Sequence, residues 1–156
     1  MSAAAPRRPV PEAKPRKRAR DEEIVALLVK VVLDEGTIAS QTRLAQLVNR
    51  QLARRGMRVT AERIRVLAVT SGLVRISVRT RVDGSTPDMD RCPVCRARLK
   101  RTANKTLTGT TTQTGYRCTR CPWWTGRELR IPQHYVFQAR VGRTEKGQLT
   151  FAAINP

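Results

Sequence analysis

The pairs Cys92-Pro-Val-Cys95 and Cys118-Thr-Arg-Cys121 constrain this chain more than anything else in its 156 residues. A Cys-x-x-Cys turn presents two thiolates on one tight knuckle, and two such turns supply the four ligands that zinc takes in a tetrahedron. Four thiolates leave no open coordination position. The expected cofactor is therefore one structural Zn2+ on Cys92, Cys95, Cys118 and Cys121, not a hydrolytic metal. Two disulfides are the alternative, disfavoured because the start, MSAAAPRRPVP, carries no export signal. A redox use of the pairs would come with a βαβ pattern, which is absent. His134 is a further ligand candidate that four cysteines make unnecessary.

The 22 residues between the pairs suit a hairpin. Thr106 to Tyr116 is rich in β-branched residues, with Gly109 and Gly115 available for turns, and runs straight into Cys118. That is the layout of a small β zinc ribbon. Cations surround it: Arg96, Arg98, Lys100, Arg101, Lys105, Arg117, Arg120, Arg127 and Arg130. Trp123 and Trp124 follow the second knuckle, and because neighbours in a strand point to opposite faces, one is expected to be buried and the other available. Cations interleaved with an exposed aromatic suit stacked bases and phosphates.

Charge then narrows the partners. The chain carries 31 basic and 12 acidic residues, a net +19, which points to a polyanion. With one histidine and all cysteines spoken for, acid-base or nucleophilic catalysis has little to work with, so no enzyme is expected. No apolar run reaches the length of about 18 residues that a membrane helix needs. A cytoplasmic protein with no membrane partner is expected, nucleoid-associated if it binds DNA.

The charge is uneven. Residues 1–20 hold seven basic groups, one acid and four prolines, and read as a disordered basic tail. Residues 21–84 carry a net +4 and residues 85–156 a net +9. These two stretches are the expected domains: a helical unit, then the ribbon with a C-terminal β extension. Residues 132–156 allow a final hairpin on either unit. All six aromatics lie from Tyr116 onward, so the first 115 residues are expected to use aliphatic side chains alone for their core.

In the helical unit, Asp21, Glu22 and Glu23 place acids on the positive end of a helix dipole ahead of the apolar run Ile24 to Leu33. A helix apolar nearly all round must be central or form a homodimer interface. Gly36 ends it, and Ser40 caps a second helix, Gln41 to Arg55, with Leu44, Leu47, Val48 and Leu52 on one face and Arg43, Arg50 and Arg54 on the other. Thr60 caps a third, Ala61 to Ser71. It buries Ala61, Ile64, Leu67 and Ala68, turns Glu62, Val66, Val69 and Thr70 outward, and carries Arg63 and Arg65 on its flanks. Leu73 to Arg81 alternates as a strand, with Val74, Ile76 and Val78 on one face and Arg75, Ser77, Arg79 and Arg81 on the other, before an Asp83-Gly84 turn.

Three helices and an amphipathic strand are the order of a winged helix-turn-helix, whose last helix normally enters the major groove. The whole is an α+β chain: winged helix-turn-helix with three helices plus a β-wing, followed by a zinc ribbon. Val66 and Val69 at the outward centre of helix 3 offer no adenine-reading amide, so that helix could instead lie against another surface.

This arrangement resembles archaeal predicted DNA-binding regulators that join a winged helix to a C-terminal zinc ribbon. The resemblance rests on Glu62-Arg-Ile-Arg-Val-Leu-Ala68, Thr70-Ser-Gly-Leu-Val74, Cys92-Pro-Val-Cys95, Gly115-Tyr-Arg-Cys-Thr-Arg-Cys121 and Trp124-Thr-Gly126, and covers residues 21–137. It differs after each knuckle, where Arg96 and Pro122 replace a common glycine. It implies a transcription- or chromatin-associated role.

The expected function is a non-enzymatic DNA-binding regulator, duplex DNA favoured over RNA. Arg43, Arg50, Arg54, Arg63, Arg65, Arg75, Arg79 and Arg81 are the expected contacts on the helical unit. Arg98, Lys100, Arg101, Lys105, Arg120 and Trp124 are those on the ribbon. An RNA-binding or ribosome-associated protein, and an adaptor docking on RNA polymerase, are the rival readings.

Overall fold

A computed structural model describes residues 19–143 and 149–151. Most of the expected basic tail, and much of the expected C-terminal hairpin loop, lie outside them. The last two tail residues do not: Ala19 is buried, and the Arg20 backbone N–H donates to the Glu23 carboxylate at 3.2 Å. The helical unit therefore includes Ala19 and Arg20, ahead of the expected boundary at residue 21.

The elements run α1 (Asp21–Glu35), β1 (Thr37–Ile38), α2 (Gln41–Ala53), α3 (Ala61–Thr70) and β2 (Val74–Val82). They continue with β3 (Leu99–Lys105), β4 (Thr111–Cys118), β5 (Trp124–Thr125), β6 (Arg130–Ala139), β7 (Val141–Arg143) and β8 (Leu149–Phe151). The mixed α+β class is as expected; α1 starts at the acidic turn Asp21 to Glu23, and α2 and α3 start where their caps predict. The Ser40 hydroxyl accepts from the Arg43 N–H at 3.3 Å, and the Thr60 hydroxyl accepts from the Arg63 N–H at 3.2 Å. Helix α2 ends two residues short of the expected Arg55.

Between α2 and α3 the Asn49 side chain takes both backbone groups of Val59, donating to its carbonyl at 2.9 Å and accepting from its N–H at 2.8 Å. That clamp fixes the angle between the two helices. Helix α1 takes the central place that its apolar surface demands, touching α2, α3, β1 and β6 and burying Ile24, Leu28, Val31 and Val32.

The sheets depart from the chain order. One has the order β1-β6-β2, all antiparallel, and another β3-β4-β5; β7 and β8 form a separate pair. The partner of β2 is thus not a strand returning at Asp83-Gly84 but β6, from beyond the cysteines. The pairing runs from Val74 opposite Ala139 to Val82 opposite Arg130, with a bulge after Arg79. Two more bonds extend it: Asp83 N–H to Leu129 O at 2.9 Å, and Leu129 N–H to Ser85 O at 2.7 Å. The cysteine unit is therefore inserted within one β hairpin, and a division at residue 84 separates two halves of a single sheet.

The reason lies in the apolar side chains. Ile38, Phe137 and Ile76 stand opposite one another across β1, β6 and β2, and all three are buried. An all-aliphatic core for the first 115 residues is thus corrected: Phe137 is fully buried among them.

Candidate metal centre and cationic surfaces

The four thiols meet as the spacing predicts. All four Sγ atoms lie within 4.8 Å of one another. The Cys92–Cys121 and Cys95–Cys118 sulfurs are 3.5 and 3.4 Å apart, far beyond the roughly 2.05 Å of a disulfide. Tetrahedral zinc with Zn–S near 2.3 Å places its sulfurs about 3.8 Å apart, so the cluster matches the size of a four-thiolate site. Each knuckle has the same backbone pattern: the Val94 N–H donates to Cys92 Sγ, and the Arg120 N–H to Cys118 Sγ, both at 3.4 Å. Cys92, Cys95, Cys118 and Cys121 could hold a metal ion such as zinc. His134 stands on β6 opposite Arg79, outside this group.

Four buried thiols cannot all ionise without a cation. Hydrogen bonds from the Cys121 and Cys92 thiols hold Cys95 down to about 2, whereas its neighbours Cys92 and Cys95, together with burial, push Cys121 up. A divalent ion would replace these shared protons and leave four thiolates, a net charge of about −2 on the centre. Arg91, Arg96, Arg98 and Arg120 line a cleft of about 400 Å³ that includes Cys95, and supply the opposite charge.

Where ribbons commonly carry glycine after the knuckle, Arg96 adopts φ 63°, the left-handed conformation that glycine would supply. Its side chain is held in return: the guanidinium bonds Glu62 Oε1 on α3, through Nε at 2.9 Å and Nη2 at 2.5 Å. Nearby, Gly115 on β4 is required by close approach, since a Cβ there would lie 2.1 Å from the Thr125 carbonyl oxygen.

The same knuckle rests on Arg65. Its Nε donates to Val94 O at 2.8 Å and Nη2 to Pro93 O at 3.3 Å. Its Nη1 reaches Gln41 Oε1 at 2.8 Å and the Tyr135 hydroxyl at 3.3 Å. The guanidinium also lies 4.9 Å from the Tyr135 ring centre. Burial raises the Tyr135 phenol above its ordinary value, keeping it a neutral partner. Arg65, expected on phosphates or a groove edge, is thus used inside the chain, as is Arg63, which bonds the Asp21 carboxylate and, at 3.0 Å, Ala19 O. Val69, expected outward, is buried. The outer side of α3 is where the knuckle docks, consistent with its lack of base-reading side chains.

The other nominated cations are exposed. Arg50 and Arg54 lie on α2; Arg43 there pairs with Glu35 at 3.0 Å. Arg75, Arg79 and Arg81 line one face of β2, opposite Gln138, His134 and Ile131 of β6, and neither strand contains an acid. Arg98, Lys100, Arg101, Lys105 and Arg120 are exposed on the cysteine unit, and residues 91–127 contain no Asp or Glu.

The tryptophans divide as expected. Trp123 is buried and donates from Nε1 to Arg130 O at 3.1 Å; Trp124 stays 47% exposed. Two cations beside Trp124, Arg117 and Arg130, stand outside the expected contact set. Their signal is register: Arg117 is paired with Trp124 across β4 and β5, and the Arg130 guanidinium lies 3.7 Å from the Trp124 ring centre.

Among the described residues no helix is long and apolar enough to cross a membrane. Comparison with known proteins finds no matching family model, no matching curated protein and no matching solved structure.

Proposed function

We propose that this chain is a non-enzymatic nucleic-acid-binding protein, a winged helix whose wing carries a structural zinc ribbon, with duplex DNA as its main ligand. The reading rests on the open face of the β2–β6 hairpin. Arg75, Arg79 and Arg81 stand there in a row with His134 and Gln138 opposite; neither strand contains an acid, and the carboxylate that reaches the row is Asp83, just past β2, 4.0 Å from Arg81. A strand hairpin of this kind follows the phosphate backbone in winged-helix proteins. Arg50 and Arg54 on α2 add exposed charge.

The same geometry argues against strong sequence preference. In a winged helix the third helix reads bases, but here Glu62 and Arg65 of α3 are engaged by the first knuckle. Binding then rests on phosphate contacts and falls steeply with salt, each neutralised phosphate adding about 0.9 to the log-log slope. The role that fits is a transcription- or chromatin-associated factor covering DNA broadly.

Duplex DNA, single strands and structured RNA competed against one another across salt concentrations test this. The expected result is tightest duplex binding, a slope on the order of −3 to −5, and a smaller slope for an Arg75, Arg79 and Arg81 to Ala variant. Duplex affinity that stays flat between low and moderate salt overturns the proposal. Preference for structured RNA gives the ribosome-associated reading instead.

A further inference from the structure

We infer that Lys100, Arg117, Trp124 and Arg130 form a prebuilt platform for an unpaired base of a single-stranded nucleic acid and its flanking phosphates. The inference rests on the nucleic-acid reading above and assigns a second ligand class to a different face.

Register places the residues. Lys100 is paired with Arg117 across β3 and β4, and Arg117 with Trp124 across β4 and β5, so the three side chains share one face of the sheet. The neighbouring row faces inward: Tyr116 and Thr125, also paired, are both buried. The exposed row thus presents two cations and then an indole, with no acid anywhere in the three strands.

Arg130 completes it from β6 and is fixed there by its own backbone. Its N–H donates to the Thr125 hydroxyl at 3.0 Å, and that hydroxyl donates to Glu128 O at 2.7 Å. Its carbonyl accepts from the Trp123 indole. The residues on either side of Trp124 therefore hold the backbone of the arginine that stacks on it. Arg130 covers one face of the ring at 3.7 Å, and about half of the residue remains open.

A base stacked on an indole already backed by a guanidinium adds a layer without ordering any new side chain, which is the usual cost of such contacts. Arg117 and Lys100 lie one and two strand spacings away, roughly 5 and 10 Å, within reach of the phosphates on either side of that base. Every base offers a π face, so the platform is indifferent to sequence.

The test uses the full metal-loaded chain, with tryptophan emission as readout, because Trp123 is buried and Trp124 exposed. A strand of about ten thymidines, its uridine counterpart and a blunt duplex hairpin are titrated separately. Either single strand is expected to quench emission, the two arms showing whether the sugar matters. Trp124→Ala should weaken single-strand binding roughly 5- to 150-fold and leave the blunt duplex nearly unaffected. Trp124→Phe should keep most of the affinity and lose the quench. Duplex binding with no single-strand quench, or unchanged single-strand affinity in Trp124→Ala, overturns the platform alone. Absence of binding to all three nucleic acids overturns the nucleic-acid reading with it.

Discussion

Arg65 Nε donates to the Val94 carbonyl at 2.8 Å, so a helix side chain from one half of the molecule holds the backbone inside the Cys92–Cys95 turn. With Pro93 O bonded by the same guanidinium, the knuckle is braced by a planar fork. Arg65→Ala is expected to weaken metal affinity about 10- to 100-fold, as other groups that orient metal ligands do. Arg65→Lys should recover little, since an ammonium cannot span the two carbonyls and Gln41 together. Competition with a chromogenic chelator measures both, and metal affinity equal to that of the parent chain would show that the knuckle holds its shape without the brace.

Metal removal should unfold more than the cysteine unit. Structural zinc contributes on the order of 10 kcal/mol or more in small units, and Cys92, Val94 and Trp123 belong to the same apolar cluster as α1 and β6. Chelation is expected to shift Trp123 emission to the red and to loosen β6, seen as faster amide exchange at Val136 and Phe137. Rebinding must expel thiol protons and so acidify an unbuffered solution. Exchange changes confined to residues 91–127 would show that the two halves are independent.

The Glu62–Arg96 pair links α3 to the knuckle and titrates. The Arg96 hydrogen bond, then its charge, lower the Glu62 carboxyl below its ordinary 4.5. A carboxyl depressed in the folded state adds stability above its unfolded value and loses it as the pH falls through the folded one. Parent and Glu62→Gln melting temperatures should therefore differ slightly at neutral pH and converge in acid below 4.5. The pair is exposed, so the gap stays small; a gap that widens on acidification contradicts this assignment.

Phe137→Ala should cost about 3–5 kcal/mol, the usual range for a buried phenylalanine. The loss should appear in the α1–α3 helices, because Phe137 stands between Ile38 and Ile76. Denaturant melts followed by helical circular dichroism test it. A cost under about 1 kcal/mol would place the helical core elsewhere.

Local signals in the sequence were enough for much of this. Ser40 and Thr60 mark helix starts through hydrogen bonds that span three residues, and each Cys-x-x-Cys turn builds its knuckle within four. What the sequence hid was long-range. Nothing local in Ile131 to Ala139 says that it pairs with β2 rather than with the cysteine unit, since alternating strands are compatible with many partners. The roles of Arg63 and Arg65 were hidden for the same reason: Asp21, Ala19, Pro93 and Val94 lie far away in the chain. Val66 and Val69, expected outward, did carry a trace of the answer, an apolar helix face being a poor reader of DNA.

Val82 and Arg130 face each other where the inserted unit leaves and rejoins its hairpin. Bringing together the ends of so long a loop costs on the order of 3 kcal/mol when the loop is slack, and a unit already folded on its metal presents its two ends side by side. A metal held by the four cysteines would thereby favour closure of β6 on β2, because it folds the insert whose ends the two strands join. The same adjacency makes the insert a cassette. A short turn joining Val82 to Arg130 would leave a continuous chain in which the β2–β6 pairing needs no rerouting.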